Sequence, residues 1–213
     1  MTDIPTREFA AVVSFPEDAA AASSRVSRHL LDAAVARTIT VLAHDLRNAL
    51  GVVSMQVEAI AVRASSTTAD LAAIQSHASV ASDHIERLAD MSNALIAFAR
   101  GRTSSDLAVI VGEAAALLPM RALTVVRPGL AAVGLDSQLT RAVTLEVLVL
   151  ALAGPSTPSF VVGSTLAGST VSVNSGATLV ADESLEWVVQ FHNAGGQIIP
   201  TEDGLRLQFP PIA

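Results

Sequence analysis

Residues 71–99 read LAAIQSHASVASDHIERLADMSNALIAFA, and their apolar positions recur in alternating steps of three and four. Such steps keep a narrow stripe of side chains on one side of a helix, the pattern of a helix that packs lengthwise on others. The stripe consists of Leu71, Ile74, Ala78, Ala81, Ile85, Leu88, Ser92, Leu95 and Ala99. The stretch therefore predicts a long bundle helix from about Asp70 to Arg100, closed by Gly101.

A second long helix is predicted to precede this one. Its apolar residues have the same spacing and are Ile39, Leu42, Leu46, Ala49, Val53 and Ile60. An N-cap at Ser23 or Ser24 and a polar connector at 63–69 place its ends. Two antiparallel helices would leave much of both stripes in water, so we predict that a second copy covers them in a homodimeric four-helix bundle.

A dense polar patch lies within the first helix, at residues 42–51, Leu-Ala-His-Asp-Leu-Arg-Asn-Ala-Leu-Gly. His44 falls outside the apolar stripe, and Asn48 lies one turn further on the same side of the helix. We therefore expect an exposed imidazole beside the carboxylate of Asp45, the guanidinium of Arg47 and the carboxamide of Asn48. A neutral imidazole is a nucleophile near pH 7.

Composition excludes several classes of protein. The chain has 213 residues, of which 51% are apolar and only 3% aromatic, which suits one or two domains with an aliphatic core. A net charge of −7 argues against nucleic acid, and the absence of cysteine excludes disulfides and thiolate metal sites. The longest apolar run, 142–153, is too short to span a membrane, and the N-terminus lacks a signal-peptide pattern. We expect a cytoplasmic protein with no membrane segment and no metal site.

The pattern becomes mixed beyond a Gly/Thr/Ser-rich boundary at 101–105. Helices are expected over 106–118, 137–152 and 184–191, and strands near 123–126, 160–163, 169–173, 197–199 and 205–209. Strands interleaved with helices on one face predict an α+β sandwich. The expected organisation is a loose segment at 1–20, a helical hairpin at 21–102 and the α/β sandwich at 103–213.

The box His-Asp-Leu-Arg-Asn-Ala-Leu at 44–50 resembles the phosphoacceptor box of two-component histidine kinases and of the dimeric, kinase-like histidine phosphotransferases, usually His-Glu/Asp-Leu-Arg-Asn-Pro-Leu. Ala49 replaces the usual proline, which removes a helix kink and no reactive group. Near the C-terminus, Gly195-Gly-Gln-Ile-Ile and Gly204-Leu-Arg-Leu-Gln-Phe-Pro210 resemble the closing strands of the kinase ATP-binding domain. The resemblance implies dimerisation and phosphoacceptor helices followed by a kinase ATPase-type sandwich.

The residues with which that family holds ATP are replaced in this chain. Leu145 and Val149 stand where asparagines should hold Mg²⁺ and phosphates, and neither can ligate a hard cation. Asn174-Ser-Gly-Ala-Thr178 stands in place of the adenine-reading Asp-x-Gly-x-Gly, and only 179–183 remain where a long lid is expected. The resemblance thus implies a degenerate domain that does not bind ATP, with no cofactor of the chain's own.

The implied function is a histidine phosphotransferase that relays a phosphoryl group between receiver-domain aspartates of response regulators through His44. Asp45 would hold the proton on one ring nitrogen, and Arg47 or Asn48 would contact the phosphoryl oxygens or the receiver. Mg²⁺ would come with the receiver.

Receiver docking in this family uses an apolar patch beside the histidine, for which Gly51, Val52 and Met55 are the candidates. Three other interpretations stay open. One is a non-catalytic pseudokinase dimer that docks a response regulator without transferring phosphate, and another is an ordinary bundle whose histidine is merely solvated. The third, an active kinase, is disfavoured by Leu145, Val149 and the missing lid.

Overall fold

The computed structural model describes residues 16–66, 70–100, 106–117, 124–126, 131–165 and 168–212. Two long helices, α1 (Pro16–Ala64) and α2 (Leu71–Arg100), form a hairpin. The remainder, here called the C-terminal unit, contains α3 (Leu107–Ala115), β1 (Thr124–Val126), α4 (Ser137–Leu152), β2 (Ser159–Thr165), β3 (Gly168–Asn174), α5 (Glu186–Asn193), β4 (Gln197–Thr201) and β5 (Gly204–Phe209). This mixture of helices with one small sheet confirms the α+β class.

The first helix starts earlier than the sequence predicted. α1 begins at Pro16, so the expected N-caps Ser23 and Ser24 lie inside it. Proline is favourable at the first helical position, because the N–H that it lacks would have no partner there, and the alanines at 19–22 have high helix propensity. Residues 16–20 are therefore helical rather than loose, whereas the rest of the expected loose segment, 1–15, lies outside the described residues.

The sheet has five strands in the order β1-β2-β3-β5-β4. β1 runs parallel to β2, and the other neighbouring strands are antiparallel. The register pairs Val171 with Leu207 and Val173 with Leu205, and all four side chains are buried on the same face. Gly195, with a φ of 86°, makes the left-handed turn between α5 and β4.

α4 lies at the centre of the molecule. Every residue from Leu139 to Leu148 is buried, because one side of α4 packs on the rest of the C-terminal unit and another side packs on α1. One hydrophobic core extends through both parts of the chain, with the hairpin contributing Leu30, Leu31, Ala34, Leu42, Met91 and Phe98. The C-terminal unit is therefore docked on the hairpin through a shared core.

The apolar stripes of the hairpin are only partly covered within one chain. On α2, Ala81 is buried and Leu88 and Leu95 are half-buried, but Leu71 and Ile85 remain exposed. A groove of about 140 Å³ also opens between the two helices and is lined by Ile39, Leu42, Leu46, Met91, Ser92 and Leu95. Among the ranges given above, no helix combines the length and apolar character needed to cross a membrane.

Candidate functional site

His44 lies in the middle of α1 with 73% of its side chain exposed. Asn48, one helical turn later, places its amide nitrogen 3.1 Å from Nδ1 of the imidazole. Asp45 places its Oδ1 atom 3.6 Å from the same ring nitrogen, and only 14% of its side chain is exposed. The structure thus brings together three of the predicted site residues, His44, Asp45 and Asn48.

Both polar neighbours of the imidazole are at Nδ1. The Asp45 carboxylate only accepts, so it favours the tautomer in which Nδ1 carries the proton. The Asn48 amide suits either tautomer, because its rotation presents a donor nitrogen or an acceptor oxygen. In the part of the chain that the structure describes, no residue bonds Nε2. Nε2 is therefore the ring nitrogen open to a reaction partner.

Arg47 does not join this cluster. It lies on an adjacent side of α1 and is exposed, and no hydrogen bond or ion pair connects it with the imidazole within the described ranges. A role for Arg47 therefore depends on a partner that the chain itself does not supply.

The three predicted docking residues differ in exposure. Gly51 is exposed, and a Cβ built there would meet nothing within 4 Å, so packing does not require a glycine. Val52 is half-buried, whereas Met55 is 60% exposed. Met55 follows His44 by eleven residues, about three turns, and so lies on the same side of α1. Of the three, Met55 is the side chain best placed to touch a partner docked over His44.

A further apolar residue on this side, Val62, was not identified from the sequence. It is exposed and, with Met55, lines a shallow groove whose other residues are Glu58, Ala59, Arg63 and Ser66. Val62 follows His44 by eighteen residues, which is five full turns, so helical spacing alone would have indicated it. Exposed apolar side chains on the His44 side of α1 thus recur at Met55 and Val62, about 16 and 27 Å along the helix axis from His44, among the charged side chains Glu58 and Arg63.

At two positions where the resembling kinases have ATP-binding residues, the side chains of this chain make contacts within the fold. Leu145 is fully buried on α4. Asn174 accepts a hydrogen bond from the backbone N–H of Gly176 at 3.0 Å, which closes a local turn. Within the described ranges, no group of three or more histidine, aspartate or glutamate residues is placed to hold a metal ion. His77 donates through Nδ1 to Gln56 Oε1 at 2.6 Å and so links α2 to α1.

Comparisons with known proteins leave the family open. No family model matches the chain, and no curated protein matches it. Among solved structures, the chain is similar to a bacterial phosphotransferase, with 14% identity, a TM-score of 0.40 and coverage of 92% of this chain and 97% of the other. At this identity and TM-score, the similarity assigns no function to the chain.

Proposed function

We propose that this protein is a histidine phosphotransferase, in which His44 takes a phosphoryl group from the aspartyl phosphate of one receiver domain and gives it to the aspartate of another. The observation that carries the proposal is the arrangement at His44. Its ring is exposed in the middle of a long helix, both polar neighbours lie at Nδ1, and Nε2 makes no hydrogen bond within the described residues. An exposed, oriented imidazole with one open nitrogen is what a phosphoryl carrier needs.

In the proposed reaction, Nε2 attacks the phosphorus of the receiver's aspartyl phosphate. The N–P bond forms, the P–O bond to the aspartate breaks, and the aspartate leaves as a carboxylate. The ring then carries a positive charge with its proton on Nδ1, where Asp45 stabilises it. Asn48 orients the ring, Arg47 is available for the phosphoryl oxygens or the receiver, and Mg²⁺ comes with the receiver.

Asp45→Asn is expected to slow phosphoryl transfer by about 100-fold, because the amide neither stabilises the charged ring nor selects its tautomer. The rate is measured as loss of label from a phosphorylated receiver domain in single-turnover reactions. Asp83→Asn, an exposed carboxylate on α2, is the control and should transfer at the rate of the unmodified protein. Equal rates for the two variants would remove Asp45 from the mechanism.

The proposal includes no ATP-dependent step. The lack of an ATP-dependent step is supported by the packing of α4, the helix that resembles the Mg²⁺-binding helix of kinases. Leu145 on α4 is fully buried, and α4 packs against α1. Burial among apolar side chains offers neither ligands nor space for a triphosphate. The chain is thus proposed to obtain its phosphoryl group from a receiver only.

The proposal also includes a homodimer with a four-helix bundle. Leu71, Ala78 and Ile85 follow each other at intervals of seven on one side of α2, and Ile85 is 54% exposed. The groove between α1 and α2 opens beside Ser92, the next position in this series. Exposed apolar side chains in a heptad series support a partner helix, and a second copy supplies one.

Ile85→Asp is expected to convert the dimer to a monomer, because the carboxylate would be buried between apolar side chains. Light scattering coupled to size-exclusion chromatography at micromolar concentration measures the mass. Ser76→Asp introduces the same charge nine residues away, on the opposite side of α2, and should remain dimeric. A dimer that persists in Ile85→Asp would contradict this interface.

The surface beside His44 is proposed to receive the receiver domain. Met55 and Val62 supply exposed apolar contact, and Glu58 and Arg63 lie in the same groove. The same surface would also serve the alternative function, a pseudokinase dimer that binds a response regulator without transferring phosphate. The cytoplasmic location remains a prediction from the sequence.

Incubation of the purified protein with a phosphorylated receiver domain separates these functions. The phosphotransferase should acquire the label within seconds to minutes, and a parallel reaction with ATP alone should give none. Stable binding of the receiver with no movement of label would favour the scaffold. Label acquired from ATP would contradict both and identify a kinase.

A further inference from the structure

α4 carries two charged residues that bind the hairpin. Glu146 has 8% of its side chain exposed, and Arg37 on α1 donates from Nε to its Oε1 atom at 2.8 Å, with Nη2 of Arg37 at the same oxygen. Arg141 donates from Nη1 to the backbone carbonyl of Phe98 on α2 at 3.4 Å, and its Nη2 lies 2.7 Å from Glu113 Oε2 on α3. Each charge thus ties α4 to another helix.

The two connections differ in their access to water. The Arg37 side chain is 50% exposed, so water can solvate its guanidinium when the pair separates, although the Glu146 carboxylate, 8% exposed, then loses its charged partner. Arg141 is fully buried, and its guanidinium carbon lies 4.9 Å from the centre of the Phe98 ring. Separating a buried charge from its partners costs far more than separating one that water can reach. The contact between α4 and the hairpin is therefore expected to open first at the Arg37–Glu146 pair.

The Arg37–Glu146 pair is also close to the functional site. Arg37 precedes His44 by seven residues, or about two turns and roughly 10 Å along the helix axis, and so lies on the same side of α1. Because Arg37 holds Glu146, α4 is bound to α1 on the side from which a partner would approach His44. The position of the C-terminal unit thus sets the space beside the imidazole.

We propose that the Arg37–Glu146 pair is a latch, which holds the C-terminal unit against the His44 side of α1. When the latch opens, the part of α4 near Glu146 shifts on α1, while the Arg141–Phe98 contact and the shared core remain in place, and the space beside His44 changes. The movement is a property of the chain alone. Only its consequence for the access of a receiver domain rests on the proposed function.

Distances between paired spin labels test the latch, and the absence of cysteine from the chain lets each pair be placed without side reactions. Ser54→Cys on α1 paired with Glu186→Cys on α5 measures the distance between the hairpin and the C-terminal unit. Asn93→Cys on α2 with Val109→Cys on α3 spans the Arg141 side. All four positions are exposed.

Arg37→Ala is expected to raise the fraction of molecules with a lengthened Ser54–Glu186 label distance by at least about tenfold, because it removes both hydrogen bonds from Arg37 to the Glu146 carboxylate. The Asn93–Val109 distance should not change. Arg37→Lys keeps the charge and should show a smaller increase. Arg37→Glu combined with Glu146→Arg restores the opposite charges and should return the distance distribution towards that of the unmodified protein.

Arg28→Ala removes another exposed arginine of α1 and should leave both distances unchanged. An unchanged Ser54–Glu186 distance in Arg37→Ala would overturn the latch. Lengthening of both distances together would also overturn it, because the whole unit would then separate from the hairpin. A chain that shows the movement but takes no phosphoryl group from a receiver would contradict the proposed function and leave the latch intact.

Discussion

His44→Gln is expected to reduce phosphoryl uptake from a receiver domain by at least about 1,000-fold, because a carboxamide has no nucleophilic ring nitrogen. The His44 side chain is largely exposed and packs on little, so this substitution should change the free energy of unfolding by no more than about 0.5 kcal/mol. Loss of uptake in a folded protein would assign the chemistry to this residue. Filter-bound label and urea denaturation measure the two quantities.

The matched control is His192→Gln, which removes an exposed imidazole at the end of α5. It should take up label at the rate of the unmodified protein. Label that persists in His44→Gln at that rate would show that another residue carries the phosphoryl group.

Phe98→Ala is expected to destabilise the protein by about 3–5 kcal/mol, a large part of the stability of a typical domain. The Phe98 ring is fully buried in the core shared by the hairpin and the C-terminal unit, and it stacks on the Arg141 guanidinium. Its removal leaves a cavity and takes one contact from a buried charge. The loss should therefore appear in both parts of the chain at once.

Urea denaturation followed by circular dichroism measures this effect, and the fluorescence of Trp187, the single tryptophan, follows the C-terminal unit separately. Val180→Ala, at an exposed loop position, should change stability by less than about 0.5 kcal/mol. If Phe98→Ala unfolds the hairpin while the tryptophan signal stays unchanged, the shared core does not couple the two parts.

Local sequence signals predicted most element boundaries. The bounds of α4 were predicted correctly because Asp136 caps it, accepting from the backbone N–H of Leu139, and α2 follows Asp70 in the same way. The predicted start of α1 was wrong. Two serines resembled N-caps, but Pro16 and a run of alanines extend the helix to the N-terminal side of them. Capping residues within one turn of a helix end therefore predicted that end, but they did not distinguish between two candidate starts of the same helix.

The candidate site was predictable only where it depends on helical spacing. Asn48 meets His44 because residues four apart in a helix are neighbours. The Arg37–Glu146 pair joins residues 109 apart in the chain, and no local pattern indicates such a contact. The burial of Arg141 was also not predictable from the sequence, because a charged residue on a helix is ordinarily solvated and only tertiary packing encloses this one.

Phosphorus NMR of the protein after it has reacted with a phosphorylated receiver domain tests the central claim most directly. The account predicts one phosphoramidate signal, attached to Nε2 of His44, stable in alkali and lost in acid. The same sample prepared with His44→Gln should give no such signal. A phosphoryl group on another residue, or none at all after the receiver has bound, would contradict the claim that His44 is a phosphoryl carrier.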